Sequence, residues 1–425
     1  MPSEKGHIII VGGGAAGLWA SLLLLKQGYP TTILEASNRL GGRIRTVHAP
    51  FSQAVEKGVE FIHGNLPLTI QLLKQAKVEY VPVEGKMIRI VNGEWKAQDD
   101  FTVGWRELME KMNEIREDTT IAKFLEKNFS DKKYDELRDS VLRFAQGFDL
   151  ADPSKASVLS LREEWMSEED EQFRVRGGCD QLVNYLEQEC LKHGGRILCA
   201  TPVTNIYWQQ RDVRTTTADG REFRSQKTIV TPSLGMLLRK TSTINFNPAI
   251  NDYIAAAKRI GFGSVVKVTL EFKKAFWDEK KKNIGFLFTQ EIIPTWWTQF
   301  PSTYPLLTGW AGGPQAWALE DKNEETILEL ALQSLSNVFE LSVDKLKTLL
   351  TASLVSNWSK EPFIKGAYSY GMIGSATARK RFVEPIDDSI YFAGEAFYEG
   401  PSPGTVEAAL VSAKNVVERI IMNNE

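Results

Sequence analysis

The first segment of this chain constrains its fold more than any other. The apolar run Ile8–Val11 predicts a short buried strand, and it leads directly into the glycines Gly12–Gly14. Ala15–Gln27 has the apolar spacing of a helix, which Gly28 ends, and Thr31–Glu35 predicts a second strand. A strand, a glycine turn, a helix and a second strand form the first half of a dinucleotide-binding fold. We therefore expect an α/β fold with a Rossmann-like domain at the N-terminus.

The turn has the spacing GxGxxG, in which each glycine has its own purpose. Gly12 permits a tight turn, Gly14 lets a pyrophosphate approach the backbone, and Gly17 lets the helix pack on the strand. Glu35 closes the next strand, where a carboxylate accepts hydrogen bonds from an adenosine ribose and disfavours the 2′-phosphate of NADP. A lone glycine motif is often an ordinary turn, but its surroundings favour a nucleotide site. The predicted contacts are Gly12, Gly14, Ala15, Ala16, Gly17 and Glu35.

The residues after Glu35 bear on the choice between FAD and NAD. Ala36 is followed by the glycine pair Gly41 and Gly42 and then by Arg43. An arginine at this point can make a bidentate, charge-assisted contact with the same pyrophosphate, which suits an extended, permanently bound cofactor. The alternative is a surface turn with a solvated Arg43, and composition alone weighs the two about equally.

Several segments resemble the flavin amine oxidases, such as the monoamine and polyamine oxidases. Leu34–Arg43 is similar to the second half of that family's FAD signature, and Glu56–Gly64 resembles the segment that passes the flavin in polyamine oxidases. Tyr391–Glu395 and Pro403–Ala409 look like the C-terminal half of the FAD site. The matches follow the family's order over nearly the whole chain.

The resemblance implies FAD as the cofactor, with contacts in both halves of the chain. A helix that begins near Gly404 can stabilise the negative charge of a reduced flavin with its N-terminus. Glu395 can accept hydrogen bonds from ribityl hydroxyls. The alternatives are a simple helix entry at Gly404 and a solvated loop acid at Glu395. The further implied contacts are Val59, Glu60, Phe61, Val203, Trp358, Gly394, Thr405 and Val406.

Two side chains are candidates for proton and oxygen chemistry. Lys267 is a lone cation in the apolar strand Val265–Phe272. The family has a lysine on the matching strand that bonds through water to flavin N5 and assists the reaction with oxygen, and the resemblance implies that catalytic role for Lys267. The alternative is an edge-strand lysine that points to solvent. His63 matches a histidine near the flavin in some polyamine oxidases, where it could manage the substrate's proton; an inert histidine is an equally good interpretation.

An aromatic ring is expected in front of the flavin. Gly366-Ala367-Tyr368 resembles the family's segment that presents this ring, which implies that Tyr368 is catalytic and forms one wall of an aromatic cage. Monoamine oxidases that attach FAD covalently have cysteine where this chain has Ala367, so we expect noncovalent FAD. Core packing is the alternative for Tyr368 and for Trp358.

The second wall of the cage departs from the family's pattern. Pro401 stands where monoamine oxidases often have tyrosine, and Phe397 or Tyr398 is expected to fill the gap. Trp165, Trp296 and Trp297 are candidates for a further wall of an apolar amine pocket, with core packing as the alternative, and Trp296 is the preferred one. The predicted substrate contacts are Tyr368, Trp296, Phe397 and Pro401.

The chain is long enough for more than one hydrophobic core, so we expect two discontinuous domains. The FAD-binding domain takes residues 1–85, 175–240 and 356–425. The substrate-binding domain takes residues 86–174 and 241–355 and mixes sheet and helix, with a mainly helical insertion over 101–169. The whole is an α+β arrangement.

Composition excludes several classes of partner. The formal net charge of -3 gives no electrostatic footprint for nucleic acid, and no run approaches the roughly 20 apolar residues that span a bilayer. Three cysteines without a CxxC pair argue against a disulfide framework and fit a reducing cytoplasm. The sequence contains no metal-ligand or Ser/His/Asp pattern. We expect a cytoplasmic monomer or homodimer without a metal.

These features predict an FAD-dependent amine oxidase. A neutral amine would be oxidised to an imine, which water converts to an aldehyde or ketone, and oxygen would restore FAD with release of hydrogen peroxide. The rivals are an L-amino-acid oxidase, a desaturase resembling protoporphyrinogen oxidase, and a non-catalytic flavoprotein scaffold. An amino-acid oxidase needs a pocket arginine for the carboxylate, and the sequence alone places none there.

Overall fold

The structure, a computed structural model, describes residues 5–98, 102–167, 171–238 and 244–423. A five-stranded parallel sheet carries the N-terminal glycine turn. Its central strand Ile8–Val11 is apolar, and both this strand and its neighbour Lys227–Val230 are fully buried, as expected of a parallel sheet between helices. The Rossmann-like prediction is therefore confirmed. The strands lie in the order Arg196–Leu198, Thr31–Leu34, Ile8–Val11, Lys227–Val230 and Ile390–Phe392.

Three helices cover one face of this sheet. Ala15–Lys26 packs between Asp180–Lys192 and Val406–Met422, and all three helices contribute apolar side chains to one buried core. The helix predicted at 15–27 is confirmed to within one residue, and the helix predicted to begin near Gly404 spans Val406–Met422. The glycine turn is thereby held at the carboxyl end of the strand Ile8–Val11, which is where ligands bind in open α/β sheets.

A second, four-stranded sheet shows where the expected domain boundary departs from the packing. The strand Asn245–Asn247 pairs in parallel with Val203–Gln209, and the helix Asn251–Ala257 packs on Ser375–Val383 beside the parallel sheet. The sequence predicts that the substrate-binding domain resumes at residue 241. From the packing of residues 245–257, we propose a boundary near residue 260 instead. The other two strands are Asp212–Thr217 and Glu222–Ser225.

A seven-stranded sheet forms the other half of the molecule. The strand Val265–Phe272 is one of its interior strands, with the bounds that the sequence predicts, and the helix Glu324–Phe339 packs against the sheet. The strands lie in the order Leu350–Asn357, Val265–Phe272, Leu306–Gly312, Thr295–Trp297, Ile284–Phe288, Lys86–Val91 and Glu94–Gln98.

The predicted helical insertion is confirmed and has a core of its own. Its helices bury apolar residues such as Leu108, Phe124, Val141 and Trp165 against one another. Its α-helices within the described residues are Trp105–Asn113, Ile121–Asn128, Asp135–Gly147 and Val158–Ser167.

Short elements complete the described chain. The remaining helices of four residues or more are Pro67–Gln75, Leu234–Leu238, Phe276–Glu279, Pro314–Trp317 and Val343–Leu349, and the remaining strands are Thr46–Val47, Val55–Glu56, Phe61–His63, Tyr80–Pro82, Gln172–Val175, Gly261–Phe262 and Ser369–Tyr370. Among the described residues, no helix combines the length and the apolar character that a membrane crossing requires.

Candidate active site

One cavity of about 1010 Å³ extends from the glycine turn to the seven-stranded sheet. Its walls come from both halves of the chain, as expected of a cofactor with contacts in both halves. Of the residues predicted to hold the cofactor, all but one line it: Gly12, Gly14, Ala15, Ala16, Glu35, Ala36, Gly41, Gly42, Arg43, Val59, Glu60, Phe61, Val203, Trp358, Gly394, Glu395, Gly404, Thr405 and Val406.

The exception is Gly17, whose place in the structure is a packing contact. A Cβ atom on Gly17 would lie 2.0 Å from the carbonyl oxygen of Gly12, so only glycine lets the helix approach the strand. Gly14 differs, because a Cβ atom there would meet nothing within 4 Å. Gly12 has a φ of +107°, which favours glycine over any L side chain. Gly12 therefore permits the turn, Gly14 leaves open space in the cavity, and Gly17 permits the packing of helix on strand.

The helix N-terminus is open toward the cavity. Gly14 occupies the N-cap position without a side-chain cap, so backbone N–H groups of the first turn remain available to a phosphate. Glu35 is buried beside it and accepts hydrogen bonds from the Gly13 nitrogen at 2.6 Å and the Ser37 nitrogen at 2.8 Å. These bonds hold the carboxylate at the end of its strand, where it lines the cavity.

An ion pair joins the two distant cofactor segments. Arg43 Nη1 donates to Glu395 Oε1 at 2.7 Å and to the Ala367 carbonyl at 2.6 Å. Glu395 is buried and also accepts a hydrogen bond from the Ser369 hydroxyl. The side chain of Arg43 is 29% exposed and that of Glu395 is 4% exposed, and the two bond to each other, so neither a free surface arginine nor a solvated loop acid describes them. Sequence reasoning missed this pair, since it had assigned the two residues to different parts of the cofactor.

The C-terminal glycine segment packs against the predicted catalytic tyrosine. Gly404 has a φ of +72°, and a Cβ atom there would lie 2.9 Å from Tyr368 Cδ2. Thr405 caps the following helix by accepting a hydrogen bond from the Ala408 nitrogen at 3.1 Å. This helix thus begins at the cavity wall, beside the Tyr368 ring.

Lys267 lies inside the seven-stranded sheet. Its strand pairs with a neighbour on each side, and the side chain is 1% exposed, so the edge-strand alternative is wrong. Nζ donates to Glu60 Oε2 at 2.7 Å and to the Gly58 carbonyl at 3.2 Å. Because an ammonium has three hydrogens, one donor remains for the cavity that Lys267 lines.

Glu60 is the centre of a buried polar network. It accepts hydrogen bonds from Lys267, from Arg174 at 3.2 Å and from Trp297 Nε1 at 2.9 Å. Burial alone would raise the pKa of Glu60, but Lys267, Arg174 and these hydrogen bonds lower it below its ordinary value. Glu60 is therefore ionised and compensates the charge of Lys267.

His63 faces the cavity between two phenylalanine rings. Its ring centroid lies 6.0 Å from that of Phe61 and 5.2 Å from that of Phe148. Burial lowers the pKa of His63 from 6.5 to about 4. The ring is therefore neutral at pH 7, and a histidine that titrates near neutral pH is not what the structure contains.

One wall of the expected aromatic cage is well held. The Tyr368 hydroxyl donates to the Phe148 carbonyl at 2.5 Å, which fixes the ring at the cavity wall. Pro401 also lines the cavity. Phe148, which the sequence did not single out, lines it too and stacks on Phe144 at a centroid separation of 5.0 Å.

Three predicted aromatic walls lie elsewhere. Trp296 is fully buried in the core of the seven-stranded sheet, and its Nε1 donates to the Ile293 carbonyl. Its neighbour Trp297 faces the cavity instead, since successive residues of a strand point to opposite faces. Phe397 stacks on Phe382 in the core beside the parallel sheet, and neither Phe397 nor Tyr398 lines the cavity.

Four arginines that the sequence did not place also line the cavity, and two of them, Arg89 and Arg143, lie far from the cofactor segments in the sequence. Arg89 lies on the strand Lys86–Val91 and Arg143 on the helix Asp135–Gly147. Arg89 interrupts the apolar run Met87–Val91, the same signal that singled out Lys267, so the pattern could have found it. Arg143 carries no such signal, because an exposed helix face and a cavity face both accept a cation.

The polar groups that line this cavity fit FAD. Open space beside Gly14, an uncapped helix N-terminus and Arg43 suit a pyrophosphate, and the carboxylates of Glu35 and Glu395 suit the hydroxyl groups on either side of it. Within the described ranges, no group of three or more His, Cys, Asp or Glu side chains could hold a metal ion.

Comparison with known proteins agrees with this interpretation. The family model described as flavin containing amine oxidoreductase matches residues 15–421. Lysine-specific histone demethylase 1 homolog 3 of Arabidopsis thaliana is 25% identical, with 98% of this chain and 30% of that protein covered. Polyamine oxidase 2 of Arabidopsis thaliana is 24% identical, with 99% and 90% covered. The chain thus spans less than a third of that demethylase and most of the polyamine oxidase.

Solved structures share the fold. A putrescine oxidase bound to putrescine superimposes with a TM-score of 0.83 at 18% identity, with 98% of this chain and 99% of that one covered. Cyclohexylamine oxidase from Brevibacterium oxydans gives a TM-score of 0.82 at 19% identity, with 99% of both chains covered. Because the family model covers nearly the whole sequence, the chain belongs to the flavin-containing amine oxidoreductases, and FAD is its cofactor.

Proposed function

We propose that this protein oxidises an amine to an imine and passes the electrons to oxygen, with release of hydrogen peroxide. The observation that carries the proposal is Lys267, a buried cation that faces the same cavity as the cofactor cradle. A buried lysine is costly without a purpose. When bound, FAD supplies the acceptor for the hydride and the site at which oxygen reacts.

Lys267 and Glu60 act as a unit in this proposal. Glu60 and the Gly58 carbonyl hold two of the three ammonium hydrogens, which aims the third toward the cavity. That donor can hold a water molecule or stabilise negative charge that develops when oxygen is reduced. Arg174 and Trp297 keep Glu60 ionised, so Lys267 is held in one orientation.

Tyr368 and His63 act on the amine itself. The hydrogen bond to Phe148 fixes the Tyr368 ring, which orients the amine and excludes water from it. His63 is neutral at pH 7, because its pKa is about 4, so it can accept a hydrogen bond from the amine without repelling it. An aromatic lining favours an amine in its uncharged form.

The cofactor is expected to be noncovalent, and the compartment to be a reducing cytoplasm. Ala367 lines the cavity without a thiol, which supports noncovalent FAD. Cys179, Cys190 and Cys199 form no disulfide with one another, which supports a reducing environment.

The test is anaerobic mixing of the purified flavoprotein with primary amines, secondary amines and polyamines. We expect the flavin absorbance to bleach with at least one class and to recover when oxygen is admitted, with hydrogen peroxide in equal amount. No bleaching with any amine, from a preparation with full FAD content, would contradict the proposed function.

A further inference from the structure

The cavity continues beyond the proposed reaction site into a distal arm, which we define by Arg89, Ser140, Arg143, Phe286 and Phe288. Resting on the proposed function, we infer that the amine substrate carries a carboxylate, which binds Arg89 and Arg143 at the end of this arm. The substrate class is an amine with an acidic group at the opposite end of an apolar chain or ring.

A row of aromatic rings connects the two ends. Lys267 Nζ lies 5.7 Å from the centroid of the Trp297 ring, and the Phe286 centroid is 6.3 Å from that of Trp297. Phe288 stacks on Phe286 at 6.3 Å with an interplanar angle of 6°. The adjacent strand places Arg89 directly opposite Phe288 in the register of the sheet. An apolar linker along these rings therefore spans from the reacting nitrogen to the arginines.

The two arginines lie together at this end. Arg89 Nη1 donates to Glu136 at 2.8 Å, and Arg143 Nη1 lies 2.5 Å from Asp139, whose other neighbour is Arg89 at 3.8 Å. Burial lowers the pKa of Arg143, Asp139 raises it, and the nearby Arg89 lowers it. A guanidinium remains charged at any working pH.

The existing partners leave the cavity side of the pair uncompensated. Glu136 and Asp139 are 63% and 52% exposed, so water screens them, whereas Arg89 is 8% exposed. Arg143 Nη2 is shielded from solvent and has no hydrogen-bond partner among the described residues. A carboxylate matches the planar fork of a guanidinium and would supply the missing acceptor.

A substrate with a second ammonium group in place of the carboxylate would meet cations in the distal arm. Glu60, the cavity carboxylate beside Lys267, already accepts hydrogen bonds from Lys267, Arg174 and Trp297. Glu164, on the helix Val158–Ser167, belongs to the wall near Pro401, where the Ser167 hydroxyl donates to the Pro401 carbonyl. The distal arm itself presents two cations, which disfavours diamines and polyamines there.

The first measurement is binding of octanoate to the FAD-containing protein, by calorimetry and by the change in flavin absorbance, without any turnover. We expect R89M and R143M to raise the Kd by about tenfold to a hundredfold, the size expected for lost hydrogen bonds to a charged group. Neither substitution leaves a buried unpaired carboxylate, because Glu136 and Asp139 are solvated. R106M is the matched control, since Arg106 is 94% exposed outside the cavity.

The second measurement compares octylamine, diaminooctane and aminooctanoate, each with a terminal amine, by anaerobic flavin bleaching. We expect aminooctanoate to reduce the flavin fastest, and R143K to retain more of this preference than R143M. If octylamine bleaches the flavin while octanoate binds equally well to wild type and both methionine variants, the inference is overturned and the proposed function stands. If octanoate binding depends on the arginines but no amine bleaches the flavin, the anion site stands and the proposed function falls.

Discussion

In the cofactor cradle, Arg43 is paired with Glu395, a carboxylate that is itself buried. In the distal arm, Arg89 is paired with Glu136, a carboxylate that is 63% exposed. Both arginines line one cavity, but only the first has a partner as shielded from water as itself. The comparison teaches that a buried carboxylate compensates a cation and fixes its position in the cavity wall, whereas a solvated carboxylate leaves more of the charge for a ligand. The predictions below test where that distinction holds.

The largest expected effect lies in the packing of the cradle. In Gly17→Val, the new Cβ atom would lie 2.0 Å from the Gly12 carbonyl oxygen, so we expect the helix to separate from the strand. The cost is at least about 3 kcal/mol, typical of severe overpacking, and we expect little soluble flavoprotein. Thermal unfolding and the FAD-to-protein ratio measure it.

Gly14→Ala is the matched comparison, because its Cβ atom enters open space. We expect it to fold normally and to bind FAD more weakly. Equal loss of stability in the two variants would contradict the separation of the packing glycine from the cofactor glycine.

The second-largest effect is expected when the buried charge of Glu60 is removed. Glu60→Gln leaves the buried Lys267 and Arg174 without their common counter-ion, so we expect unfolding to become easier by about 3 kcal/mol. Chemical denaturation of the FAD-loaded protein measures it. Glu136→Gln is the control from the exposed pair and is expected to change stability by less than about 1 kcal/mol. A loss of similar size in both variants would erase the contrast between the two kinds of ion pair.

Replacement of Lys267 is expected to slow reoxidation of the flavin by oxygen more than reduction of the flavin by an amine. In Lys267→Met the donor that faces the cavity is lost, so we expect reoxidation of the reduced flavin by oxygen to slow about a hundredfold, as for other lost electrostatic donors. Anaerobic reduction by an amine is expected to change far less. Stopped-flow absorbance follows each half separately. Unchanged reoxidation, with FAD fully bound, would remove the proposed role.

The smallest expected effect is the pH dependence of stability, in which two groups oppose each other. Burial raises the pKa of Glu56 from 4.5 to about 7, so the folded protein binds the extra proton and stability falls as pH rises through that window. Burial lowers the pKa of His63 from 6.5 to about 4, so stability rises with pH between those values. The charged neighbours of Glu56 are Lys267 and Glu60, with the thiol of Cys179 beside it.

We therefore expect nearly flat stability between pH 5 and 6.5 in the wild type, to which each group contributes about 1 kcal/mol per pH unit with opposite sign. In His63→Gln only the decline from Glu56 remains, and in Glu56→Gln only the rise from His63. Urea unfolding of the holoprotein at several pH values gives both slopes. Identical pH profiles in the two variants would show that neither group titrates as its burial indicates.

The local pattern was sufficient for elements whose interactions lie close together in the chain. The strand Ile8–Val11, the helix after it and Glu35 form one unit, so the glycine spacing predicts the turn, the helix N-terminus and the position of the acid. Lys267 could be singled out because a cation in an apolar strand is itself a local anomaly.

The aromatic walls could not be predicted in the same way. Trp296 and Trp297 are adjacent and equally apolar, and only the pairing of their strand decides which of them faces the core. Phe397 follows the cofactor acid closely in sequence, yet it turns away from the cavity to stack on Phe382. Burial alone does not distinguish a core from a cavity wall, since both accept aromatic rings.

The sequence by itself therefore determined the dinucleotide-binding turn and its parallel sheet, because both depend on residues that are close together in the chain, and it singled out Lys267 without deciding whether that side chain is buried. Only the tertiary structure brought Arg43 to Glu395 and placed Arg89 and Arg143 in a common arm of the cavity. Arg43 and Glu395 lie on separate segments of the chain, as do Arg89 and Arg143, and charges act through distance in space rather than along the chain. Which amine enters the cavity therefore depends on the tertiary structure and not on a local sequence pattern.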